Sequence, residues 1–207
     1  MTSKEFEKAD DSTRKAIGKE YGFKRCSYIS YKIVGGYFFT LNHLCAPDAF
    51  LEVKPMYADD LWWDIFQCPD NKKAPKSLRG NGAFSVSSEK VATYPVFPGS
   101  WKQYTEEMIE SVWRDVFQRV EQDVESFLAA HPDPDKYFPK PPAPDRDVAL
   151  LYLLALLHTG ALEEAEIMVK EEISKGYSSG MLRDIGGREI SGYEYMLDWI
   201  HDRMKQD

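Results

Sequence analysis

The clearest periodicity runs from Tyr104 to Phe127. Tyr104, Met108, Val112, Val116, Val120, Val124 and Phe127 recur every three or four residues, and Ile109, Trp113 and Phe117 widen the stripe. That spacing predicts a long amphipathic helix, since one helical face returns every 3.6 residues. Ser100 with Gln103 supplies a capping box for its start. An earlier helix is predicted over 5–20 from Phe6, Ala9, Thr13, Ala16 and Ile17, ending at Gly22.

Between these helices the pattern changes to short runs rich in aromatic and β-branched residues. "RCSYISYKIV" and "YFFTLNHL" flank Gly35-Gly36, a pair suited to a tight hairpin turn because such turns need positive φ. "AFLEVKPMY", 49–57, alternates as a third strand, with Pro55 suggesting an edge. "ADDLWWDIF" reads as a short helix opened by Asp59 and Asp60, 68–82 as a loop, and 83–97 as a strand or second hairpin.

Six prolines fall within 131–145, "HPDPDKYFPKPPAPD". Proline lacks a backbone donor and drives its predecessor away from the helical region, so this segment predicts a semi-rigid linker. Beyond it, "RDVALLYLLALLH" and "ALEEAEIMVKEEISKG" read as a helical hairpin broken at Thr159-Gly160, and a final helix opens on the capping box Ser191–Glu194. The expected architecture is α+β: an antiparallel sheet with a long amphipathic helix packed on one face, followed by a C-terminal helical hairpin and a final helix. The expected divisions are an α+β domain at 1–131, a Pro-rich linker at 132–145 and a helical subdomain at 146–207.

Composition narrows the class. A 43% hydrophobic and 14% aromatic content over 207 residues is enough for a sizeable core. No run approaches the roughly 18–20 apolar residues that a spanning helix needs; the best, Val148–His158, is about half that. With no apolar leader and only three cysteines, the expectation is a bacterial cytoplasmic protein without membrane insertion. The net charge is −8, with nine basic and fifteen acidic residues in 132–207. That balance disfavours nucleic acid, whose phosphates want a basic face, and suits a basic protein partner.

Two segments resemble known patterns. "LLYLLALLHTGALEEAEIMVKEEI", 150–173, resembles one tetratricopeptide-type helical hairpin. Such arrays need about three units to bury a continuous core, so a single one implies an antiparallel helix pair. The stretch from about Ala16 to Phe66 resembles uncharacterised bacterial domains of unknown function, through Gly22-Phe23-Lys24 followed by "SYISYKIVGGYFFTLN". That resemblance implies an immunity-type or toxin-associated role and carries no functional residue with it.

The candidate chemistry is sparse. His43 and Cys45 share one face of an extended strand, where an imidazole can activate a thiol, but local spacing supplies no third group. Neither C-x₂₋₄-C nor H-x₃₋₅-H occurs, so no metal site is expected. Asp60 and Asp64 share one helical face, where paired acids could bind a divalent cation or do acid–base work, but Asp59 and Asp60 suit a helix N-terminus. Lys72, Lys73, Lys76 and Arg79 form a basic cluster ahead of Gly80-Asn81-Gly82, which does not match a P-loop. Trp62 and Trp63 point about 100° apart on a helix, which leaves two readings: one exposed aromatic on a binding surface, or a core helix covered on both sides. These readings favour a non-enzymatic protein-interaction module with a protein partner and no cofactor. The alternative is a small-molecule-binding protein or enzyme with a pocket at the sheet edge near His43 and Cys45.

Overall fold

The computed structural model describes residues 1–43, 47–81, 85–140, 150–177, 182–185 and 188–206. The chain is α+β and divides into two compact units interleaved in sequence: 1–54 with 88–134, and 55–87 with 135–207. Among the described residues, no helix is long and apolar enough to cross a membrane.

The first unit holds a five-stranded antiparallel sheet: β1 (Lys24–Cys26), β2 (Ile29–Val34), β3 (Tyr37–Asn42), β4 (Asp48–Pro55) and β5 (Glu89–Pro95), in sequential order. The single strand expected over 25–34 is two, because Ser27 takes φ 51° and turns the chain back on itself. Gly35 and Gly36, at φ 59° and 80°, make the expected β2–β3 turn. β4 is not an edge strand: it lies between β3 and β5, and Pro55 only ends it. Ala49, Leu51 and Val53 give it one fully buried face.

Helix α1 (Ser3–Glu20) opens on a Thr2–Glu5 capping box, which the periodicity alone did not mark. The long helix is Glu106–Ala130. It starts six residues after Ser100, which caps only a short 3-10 turn at Trp101–Gln103. Tyr104 is extended, and Thr105 accepts the Met108 N–H to begin the helix proper. Its buried centre is the row Ile109, Trp113, Val116, Phe117, Val120 and Val124, while Met108 is 44% exposed. Phe127 of this helix meets the rings of Tyr37 and Phe39 edge to face, at 5.2 and 5.5 Å, which seats it on one face of the sheet.

Among its described residues, the second unit is helical apart from one hairpin. It contains α2 (Met56–Ile65), α3 (Leu78–Asn81), α5 (Leu150–His158), α6 (Leu162–Ser174), β6 (Leu182–Ile185), β7 (Arg188–Ser191) and α7 (Gly192–Met204), the long Glu106–Ala130 helix of the first unit being α4. Gly160, at φ 81°, breaks α5 from α6 where the sequence places the break. The Ser191–Glu194 box caps α7 as expected, while β6–β7 was not foreseen. Trp62 of α2 and Phe66 at its C-cap share a core with Leu153, Leu154, Met196 and Ile200, so this short helix covers the apolar stripes that the C-terminal helices cannot bury alone. The proline run contributes a 3-10 turn at Pro134–Lys136 and a buried Tyr137.

Candidate functional site

The first unit encloses a cleft of about 560 Å³ beside the end of β3. One stripe of α1 forms its wall. Phe6, Asp10, Arg14 and Ile17 follow one another at three or four residues, and the most buried of them include two charged side chains. The helix therefore turns an acid and a base inward where the sequence reading placed Ala9, Thr13 and Ala16. Ala16 is exposed. Asp10 and Arg14 were missed for this reason, although their i, i+4 spacing in line with Phe6 and Ile17 was a usable signal.

The polar floor is built from three elements. Asp10 Oδ1 accepts the Trp113 indole N–H at 2.6 Å, and its Oδ2 lies 3.5 Å from His43 Nδ1. His43 follows β3 and is 4% exposed; its ring stands edge-on to Trp113 and Phe97 at 5.3 and 5.9 Å. Arg14, 3% exposed, donates Nη1–H to the His43 carbonyl at 3.0 Å and lies 5.4 Å from the Trp113 ring centre. Its Nη2–H reaches Asp11 at 3.4 Å, and Arg25 closes on the same carboxylate oxygen. The walls are aromatic, from Phe6, Tyr28, Phe97 and Trp101, with Tyr104 packed behind Phe6 and Phe97.

The charges here are unevenly compensated. Burial pushes the Arg14 guanidinium below its usual pKa, and the nearby Arg25 charge adds to that; Asp10 and Asp11 offset it only in part. For Asp11, burial opposes ionisation, but the hydrogen bond and charge of Arg25, with Arg14 behind it, hold its carboxyl below the usual range. Among the described residues, Arg14 Nε and Arg25 Nε and Nη1 are buried without a hydrogen-bond acceptor.

Of the residues singled out in the sequence, His43 lies in this cleft, whereas Cys45 lies outside the described residues. Of the two readings at 62–63, the helix is covered on both sides and the exposed binding aromatic is corrected: Trp62 and Trp63 are each 1% exposed. Trp62 enters the helical core, and Trp63 lies beneath the Arg79 guanidinium at 4.8 Å, so both faces of α2 are covered. The basic cluster is likewise not one open surface. Arg79 is buried, donating to Asp60 at 2.7 Å and to the Met56 carbonyl at 2.8 Å, with Asp59 3.5 Å away. Lys72 pairs with Asp64 at 2.6 Å and Lys73 with Asp70 at 3.3 Å, while Lys76 is exposed. The segment is a 3-10 turn and a short helix pinned to α2, with Gly82 outside the described residues. Among the described residues, no three His, Cys, Asp or Glu side chains gather as metal ligands would.

Compared with protein families, curated proteins and solved structures, the chain matches none.

Proposed function

We propose that the first unit is a small-molecule-binding module whose ligand occupies the cleft beside His43. The observation that carries this reading is the combination of a cleft of about 560 Å³ with a buried polar floor of Asp10, Arg14, His43 and Trp113. A concave, mostly apolar site with a few converging polar groups is the usual form of a ligand pocket. Burying a charge is costly unless something repays it, and a floor built only for stability has cheaper apolar solutions. The aromatic walls supply contact area, and the floor supplies orientation.

The Asp10–His43 pair also has the parts of a carboxylate-oriented imidazole, with Asp10 itself fixed by Trp113. Binding is the function proposed, with this pair as part of the floor that orients the ligand. The protein-interaction reading loses its aromatic anchor once Trp62 and Trp63 are buried; the net charge of −8 still agrees with it.

The test is a fragment screen read by amide chemical-shift mapping. Hits that move residues around Phe6, Arg14, His43, Phe97 and Trp101 support the module. A screen whose hits all map elsewhere, or that yields none, contradicts it.

A further inference from the structure

Resting on the cleft as a binding site, we infer that its ligand is a monocarboxylate on an apolar, ring-sized body, held through Arg14. The argument starts from donors that lack acceptors. A guanidinium carries five N–H donors and no acceptor. Arg14 places one on the His43 carbonyl at 3.0 Å and one, at the long distance of 3.4 Å, on Asp11. Its Nε–H is buried with no acceptor, and so are Nε–H and one Nη1 of Arg25. Two guanidiniums thus share a single Asp11 oxygen. Buried donors are almost always satisfied, and Arg14 is the guanidinium of the two that lines the cleft.

The neighbouring acids set the charge of that acceptor. Glu7, Asp10 and Asp11 all line the cleft. A dianion such as a phosphate monoester would face three carboxylates against one buried arginine. A planar monoanion meets the guanidinium fork at lower cost and matches its geometry. Asp11 is the group it displaces: its side chain is 55% exposed, its contact with Arg14 is long, and Arg25 can keep it alone. The carboxylate then sits on the Arg14 edge, and the ring lies among Phe6, Phe97 and Trp101.

The experiment uses one ring with three heads. Benzoate, benzyl alcohol and benzylamine are titrated calorimetrically into the full chain, into Arg14→Gln and into Asp11→Asn. The inference expects benzoate to bind most tightly, Arg14→Gln to weaken it by about tenfold or more, and Asp11→Asn to tighten it, with benzyl alcohol indifferent to both changes. Should Arg14→Gln fail to fold, Asp11→Asn still decides the matter. If the alcohol or the amine binds as well as benzoate, or Asp11→Asn weakens benzoate, the carboxylate assignment falls while the binding module stands. If no probe binds, both fall.

Discussion

Arg14 in the sheet unit and Arg79 in the helical unit are both buried arginines lying against a tryptophan, yet their surroundings differ. Arg79 has two carboxylates, Asp59 and Asp60, and a backbone carbonyl, with Trp63 beneath it. It clamps the short Leu78–Asn81 helix onto the first turn of α2. Asp59 in turn takes the Val86 N–H at 2.8 Å, so the cluster ties three segments together. Arg14 has one long contact to a half-exposed carboxylate, one carbonyl, a repelling Arg25 and an open cleft. A buried charge held between two carboxylates serves the fold, whereas one with a single long carboxylate contact at a cleft serves something that enters it.

The largest expected effect tests the closed cluster. Asp59→Ala removes a carboxylate that is 0% exposed and leaves Val86 without its acceptor and Arg79 short of a partner. Breaking such a buried pair costs about 3–5 kcal/mol. Urea unfolding should show that loss, and a change under 1 kcal/mol would remove the cluster from the account.

Next comes Trp113→Phe. It keeps the ring against Arg14 and deletes the N–H that Asp10 accepts at 2.6 Å. The expected cost is about 1–3 kcal/mol, from leaving a buried carboxylate oxygen without its donor. An unchanged urea midpoint would mean that Asp10 is not held by the indole.

The start of α4, the helix that carries Trp113 to the cleft, gives a smaller effect. Thr105→Ala should cost about 1 kcal/mol as a lost N-cap. Ser100→Ala should cost less, since its hydroxyl only caps a 3-10 turn through a 3.4 Å contact. A reversed order would return the helix start to Ser100.

The smallest effect is a pH dependence at Asp11. Its carboxyl lies below the ordinary 3.8 in the fold, so its contribution to stability is complete above that value and is lost as pH falls through the depressed one. Arg25→Gln removes the chief lowering partner and should flatten the acid limb of the stability curve below about pH 4. An unaltered limb would separate Arg25 from Asp11.

The contrast also shows what a sequence makes legible. The sheet, the glycine hairpin, the long helix and the capped final helix follow from local rules: periodicity, positive φ and capping chemistry. The cleft does not, because its floor joins Asp10 and Arg14 from one helix, His43 from the end of a strand and Trp113 about a hundred residues away. His43 stands out as a chemical residue type, whereas the apolar periodicity of the 5–20 helix does not single out Asp10 or Arg14. Trp62 and Trp63 failed in the opposite direction. Adjacent tryptophans suggested exposure, but one side of α2 faces apolar helices and the other is roofed by Arg79. Both errors share a cause: local pattern reports which residues are apolar, not which charges the tertiary structure draws inward.

The most direct test of that distinction is a side-by-side urea titration of Arg14→Met and Arg79→Met. The account predicts that Arg79→Met loses several kcal/mol, as a broken buried cluster does, and that Arg14→Met loses less than half as much, because its compensation is already incomplete. Equal losses, or a larger loss at Arg14, would make both arginines structural and remove the reason for assigning Arg14 to a ligand.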